Sequence, residues 1–178
     1  MLKIKRFAVE NLTAGCVTDE KAPRFSFTLE SDRKGVSLQK ATLRVGAWSV
    51  ETTEQIGIAY AGAALKPFTG YDASLTVTDS EGEQAEAALH FETGRLDTPW
   101  SAQWISDPSY VFYEKKISPL PMVFRKKLTL AKPIASARIY STAIGIYELS
   151  LNGARLGDRY FAPGFTSYKS QLQYQTTT

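Results

Sequence analysis

Residues 71–79, YDASLTVTD, alternate with a period of two: Tyr71, Ala73, Leu75 and Val77 share one face, and Asp72, Ser74, Thr76 and Thr78 share the other. Successive side chains of a strand point to opposite sides of the sheet, so this pattern predicts a half-buried β-strand. The same test places Ala41, Leu43, Val45 and Ala47 on one face of ATLRVGAW, and Ala85, Ala87, Leu89 and Phe91 on one face of AEAALHF. Turn signals such as SDRKG and DSEGE separate these short strands, and no capped helical stretch interrupts them. The first half therefore reads as an antiparallel sandwich of about 90 residues, the size of an immunoglobulin or fibronectin III domain.

The segment RLDTPWSAQWISDPS, residues 95–109, changes character, with tryptophans and prolines among small and polar residues and no sustained alternation. It marks a boundary, giving a first domain over residues 1–96 and a second over residues 97–178. In the second, MVFRKKLTL puts Met122, Phe124, Leu128 and Leu130 on one side, and SARIYSTAIGIYELSL supplies two more candidate strands with Gly145 near their junction. SYVFYEKKISPLP reads as an irregular loop, because Pro119 and Pro121 would each remove a ladder donor. Asn152-Gly153 between LSL and ARLGD is the preferred two-residue hairpin turn, Pro163-Gly164 marks another turn, and LQYQTTT reads as a strand cut short. Three candidate strands and a fragment of a fourth leave apolar faces uncovered. The expectation is a small or truncated second domain that associates with itself through its open strands.

Composition narrows the function classes. A content of 43% hydrophobic and 22% charged residues is that of an ordinary globular chain, and the net charge of +3 comes from interspersed lysines, arginines and acids. No basic stripe exists to neutralise a phosphate backbone, so nucleic acid is not an expected partner. The start, MLKIKRFAVENL, lacks the apolar run of a secretory signal, and no stretch approaches the ~18 apolar residues of a membrane helix. The expected location is cytoplasmic, with no membrane partner. The lone Cys16 has no partner for a disulfide or a multi-thiolate metal site.

Chemistry is harder to find. Glycoside hydrolysis needs two carboxyl groups at a fixed separation, and no motif here pairs them; Asp97, Asp107 and Asp158 read as turn or loop residues bonded to their own backbone. The one histidine, His90, alternates onto the face opposite Leu89 and Phe91 and so faces solvent, which is no triad. The glycines are scattered and form no phosphate-cradling loop. Aromatic residues remain, since sugars stack on ring faces while polar groups fix their hydroxyls. Trp48, Trp100, Trp104, Tyr147, Tyr160 and Tyr168 qualify by type.

The second half carries WSAQWI (residues 100–105), FRKKLTL (residues 124–130) and ARIYSTAIGIYELSLNGARLGDRYFAPGFTSYKSQLQYQT, including Gly145, Tyr147, Asn152-Gly153, Gly157-Asp158, Ala162-Pro163-Gly164 and Tyr168. In order and spacing these resemble the N-terminal region of bacterial α-L-rhamnosidases, glycoside hydrolases that remove terminal rhamnose. PRFSFTLES, LQKATLRV, YAGAAL, YDASLTVTDSEG and FETG in the first half resemble the fibronectin III-like domain that precedes it in many members, with Phe27 where tryptophan is more usual and Asp72 also departing from the pattern. The resemblance covers residues 23–176. It implies an all-β chain, an immunoglobulin/fibronectin III-like sandwich followed by a partial jelly-roll-like β-sandwich. It also implies that strands after YQT continue the second sandwich and that a helical toroid far downstream bears the catalytic carboxylates, so no residue here is assigned a catalytic role.

On this resemblance the chain is expected to be the non-catalytic N-terminal part of a rhamnosidase, its partners a rhamnose-containing glycoside, through the parent enzyme, and the downstream catalytic domain. The alternative is an autonomous rhamnose-binding module with an aromatic platform, needing no cofactor unless a calcium ion assists. Candidate substrate-binding residues are Trp104, Tyr147, Asn152, Asp158 and Tyr168, with no metal ligand among them. A purely structural or adhesive pair of sandwiches is a third reading.

Overall fold

Apolar residues at alternate positions pair into sheets wherever a neighbouring strand takes up the backbone groups between them. The computed structural model describes residues 1–107 and 121–177, and every regular element among them is a strand. The chain divides into two units, Met1–Pro99 and Trp100–Thr178.

The first unit contains β1 (Leu2–Val9), β2 (Cys16–Thr18), β3 (Arg24–Ser31), β4 (Leu38–Val45), β5 (Trp48–Thr52), β6 (Ile58–Ala59), β7 (Gly70–Asp79) and β8 (Gln84–Thr93). They form a three-stranded sheet of order β1-β3-β6 and a five-stranded sheet of order β2-β8-β7-β4-β5. All pairs are antiparallel except β2 with β8, which run parallel from Cys16↔Phe91 to Thr18↔Thr93. In the larger sheet, Leu43 faces Leu75 and Leu75 faces Ala87 in register. Phe25, Phe27, Phe91, Leu43, Leu75, Val9 and Val77 lose nearly all solvent contact. Phe25 is the hinge of this core, 6.2 Å from the Phe7 ring and edge-on to Phe91 at 5.7 Å.

Ala41, Leu43 and Val45 are buried along β4, but Ala47 is not: it is exposed in the Gly46-Ala47 turn, where the chain reverses into β5 after Val45. The DSEGE turn is held by Asp79, whose buried Oδ1 accepts the N–H groups of Glu81 at 3.0 Å and Glu83 at 2.9 Å. Arg33 reaches this loop and pairs with Asp79, Glu81 and Glu83. Burial works against the Arg33 charge, but the three carboxylates outweigh it and raise the guanidinium's pKa further.

The second unit contains β9 (Ile139–Ser141), β10 (Ser150–Leu151), β11 (Ala154–Arg155) and β12 (Gln175–Thr177), which pair only in twos, β10 with β11 and β9 with β12. Asn152 and Gly153 join β10 to β11 with φ of 52° and 86°, the left-handed pair that this hairpin turn requires. The strand expected over MVFRKKLTL does not form: residues 121–130 have no ladder partner and are exposed, Val123 at 92% and Leu128 at 71%. Alternation alone does not make a strand, because unpaired N–H and C=O groups are better left to water than lined up along an empty edge. Of the expected loop SYVFYEKKISPLP, residues 109–120 lie outside the described residues.

Candidate functional site

Reactive side chains in the first unit are engaged structurally. Cys16 is buried, and burial pushes its thiol pKa up, away from the thiolate. His90 lies on the outer face of β8 with Nδ1 2.7 Å from Asp72 Oδ1, its partner across the ladder. Glu10 holds Arg24 through both carboxylate oxygens, at 3.2 and 2.9 Å. A shallow, open hollow on the outer face of the five-stranded sheet is lined by polar side chains, including Lys40, Glu51, Thr78 and Gln84, and offers no ring for a sugar to stack on. Among the described residues no group of three His, Cys, Asp or Glu side chains is placed to hold a metal ion.

In the second unit, the structure joins Tyr147 and Tyr168 through the loop of residues 141–147. The Tyr147 N–H donates to the Ala162 carbonyl at 2.8 Å. Its hydroxyl lies 2.6 Å from Ser141 Oγ and donates to the Ser141 carbonyl at 3.3 Å. The Tyr168 hydroxyl accepts the Gly145 N–H at 3.2 Å. Both tyrosines therefore commit their polar ends to shaping this loop.

Asn152 is exposed at the tip of the hairpin, and Asp158 is exposed beyond it. Trp104 is 63% exposed and makes no ring contact among the described residues. Trp100 instead packs edge-on to Tyr174 at 5.8 Å, and Tyr174 lies 6.0 Å from Tyr140. No described contact gathers Trp104, Asn152 and Asp158 with the two tyrosines.

A different group does converge. The guanidinium carbon of Arg155, on β11, sits 4.1 Å from the centre of the Tyr160 ring. Its Nη2 donates to the Arg159 carbonyl at 2.6 Å, and its Nε lies 3.3 Å from Glu148 Oε2. One face of Tyr160 is thus backed by a planar cation that is itself anchored, a favourable arrangement for the ring quadrupole. Tyr160 nevertheless remains 74% exposed, beside Phe161 at 76%. Phe161 has φ of 56°, a region that bulky residues rarely occupy. The chain after it is pinned, since Pro163 is buried and its carbonyl accepts the Gln175 amide at 3.1 Å. The sequence offers Tyr160 only by type and does not point to Arg155, Glu148 or Phe161. The hairpin brings Arg155 over the ring, and no local periodicity encodes that approach.

Residues 4–97 match the family described as Rha78A-like, N-terminal immunoglobulin domain, and residues 132–178 match the alpha-L-rhamnosidase N-terminal domain. An α-L-rhamnosidase of Formosa agariphila is 25% identical over 88% of this chain and 20% of its own length. The structure of an α-L-rhamnosidase from Dictyoglumus thermophilum superposes with a TM-score of 0.81 at 27% identity, covering 98% of this chain and 23% of that one. Streptomyces avermitilis α-L-rhamnosidase complexed with L-rhamnose gives a TM-score of 0.55 at 30% identity, over 61% of this chain and 12% of that one. The chain spans a fifth or less of the length of the curated relatives it matches, 11% and 20% of two from Formosa agariphila.

Proposed function

This chain belongs to the family of Rha78A-like N-terminal immunoglobulin domains, in the N-terminal region of α-L-rhamnosidases, and from that premise we propose that it is the non-catalytic front end of an enzyme that removes terminal α-L-rhamnose from glycosides. The observation that carries this reading is the likeness to the Dictyoglumus thermophilum enzyme, which runs through both units and 98% of the chain. The first unit supplies a rigid body with a closed core, and the second supplies loops and exposed rings. On this reading hydrolysis belongs to the remaining length of such a protein, and these residues scaffold it or help to present its substrate.

The test is hydrolysis of p-nitrophenyl α-L-rhamnopyranoside by the chain alone and by a full-length rhamnosidase carrying it. The expected result is no release of p-nitrophenol by the chain alone, and loss of soluble, active enzyme when residues 1–178 are deleted from the full-length protein. Turnover by the isolated chain would overturn the reading. A second reading, a module that binds rhamnose without the catalytic part, is favoured by the open ring face of Tyr160.

A further inference from the structure

We infer that Asn152-Gly153 is a site of self-modification, at which the Gly153 backbone nitrogen attacks the Asn152 carboxamide and residue 152 becomes a mixture of aspartyl and isoaspartyl. The chain contains two asparagines, Asn11 and Asn152, and the fold treats them differently. Both are exposed, and both have a left-handed backbone, with φ of 67° and 52°. Asn11 is held in place. Its Oδ1 accepts from Arg6 Nη2 at 2.7 Å, and the next backbone nitrogen, that of Leu12, donates to the Val9 carbonyl at 2.8 Å. Val9 is fully buried, so this turn is tied to the core.

Asn152 has no such restraint. Among the described residues neither its carboxamide nor the Gly153 N–H has a hydrogen-bond partner. Gly153 carries no Cβ to obstruct ring closure, and a methyl group built there would meet nothing within 4 Å, so the turn has open space in which to rotate. Strands β10 and β11 are joined by two residue pairs and by the Leu156 N–H donating to the Leu149 carbonyl at 2.8 Å, and Ser150, Leu151 and Ala154 are exposed. A hairpin this short opens locally at little cost, which lets the Gly153 nitrogen reach Cγ of Asn152.

In the reaction a bond forms between the Gly153 nitrogen and Asn152 Cγ while the Cγ–Nδ2 bond breaks, and the Gly153 proton leaves with the amide as ammonia. The product is a cyclic imide. Water then opens it at Cγ to give aspartyl, or at the main-chain carbonyl to give isoaspartyl, with no change of oxidation state. The isoaspartyl form routes the backbone through Cβ and Cγ and so adds one atom to a turn that two residues must close. The register Ser150↔Arg155 and Leu151↔Ala154 then cannot be kept, and Arg155 leaves the Tyr160 ring it backs at 4.1 Å.

The experiment incubates the full chain at mildly alkaline pH, in buffer and in urea, and follows both asparagines by peptide mapping with mass spectrometry. An L-isoaspartyl O-methyltransferase with labelled S-adenosylmethionine counts the isoaspartyl product. Conversion in buffer is expected to be at least about tenfold faster at Asn152 than at Asn11, and about tenfold slower in Gly153→Ala than in the wild type. Gly153 has φ of 86°, which strains an alanine, so the variant is compared with the wild type in urea as well, where the turn no longer matters. In the isoaspartyl fraction the Tyr160 ring signals are expected to move to those of Arg155→Ala. Equal rates at the two asparagines, a Gly153→Ala rate unchanged in urea, or conversion at Asn152 more than about tenfold slower in buffer than in urea would overturn the proposal. Tyr160 signals that stay in place would overturn the loss of the Arg155 contact.

Discussion

The units Met1–Pro99 and Trp100–Thr178 use the same local code with different results. In the first, YDASLTVTD becomes β7, flanked on both sides by β4 and β8, and its apolar positions Ala73, Leu75 and Val77 are buried. In the second, MVFRKKLTL has comparable alternation yet no strand, with Val123, Phe124, Leu128 and Leu130 left in solvent. Among the described residues, every hydrophobic side chain of the buried core belongs to the first unit. Alternation specifies which face a strand would bury; only a neighbouring strand and an opposing sheet make burial happen.

Hydrogen exchange gives the largest expected contrast. Amides of Leu43 and Leu75, paired in the middle of the five-stranded sheet, should exchange only with global opening, about a thousandfold or more slower than those of residues 122–130. Equal rates in the two segments would break the comparison.

Core truncation should give the next largest effect. Phe25→Ala removes a ring that is fully buried between Phe7 and Phe91 and should cost about 3–5 kcal/mol in urea unfolding. Phe165→Ala, at a site 93% exposed, should stay within about 0.5 kcal/mol.

Gly62→Ala tests whether the loop after β6 is as tightly packed as the sheets. A methyl group there would lie 2.5 Å from the Tyr60 hydroxyl oxygen and 2.7 Å from Trp48 Cβ. Tyr60 cannot readily yield, since its ring is edge-on to Trp48 at 4.9 Å and its hydroxyl donates to the Ala63 carbonyl at 2.8 Å. A loss of about 1–3 kcal/mol is expected, and an unchanged urea midpoint would show that the loop gives way.

The smallest effect concerns pH. The Arg24 side-chain hydrogen bond lowers the Glu10 pKa from its ordinary 4.5, against the opposing effect of burial. A carboxylate with a depressed folded-state pKa contributes stability that is present above the unfolded value and lost as pH falls through the folded one. Stability of the first unit should therefore decline below about pH 4.5, with a shallower slope in Glu10→Gln. The difference is modest because Arg24 is 63% exposed. Parallel pH profiles for the two proteins would remove Glu10 from this account.

Much of this was legible from sequence, and the exceptions share a cause. Alternation located the buried faces of β4, β7 and β8, and Asn152-Gly153 announced its hairpin, because these depend on side-chain direction and backbone φ within a few residues. The site was less legible. The sequence offers Tyr147 and Tyr168 as ring-bearing candidates; in the fold their hydroxyls brace the loop of residues 141–147, and the ring with the backed, open face is Tyr160.

By itself, then, the sequence determined the strand character of the first unit, its inward faces and its turns, all set by neighbours along the chain. Tertiary structure alone decided that β2 would join β8 in parallel, that Arg33 would bind carboxylates of the β7–β8 loop 46 to 50 residues away, that residues 122–130 would remain unpaired, and that Arg155 would back Tyr160. Each of these depends on which distant backbone or side chain arrives alongside, and a period of two carries no information about partners.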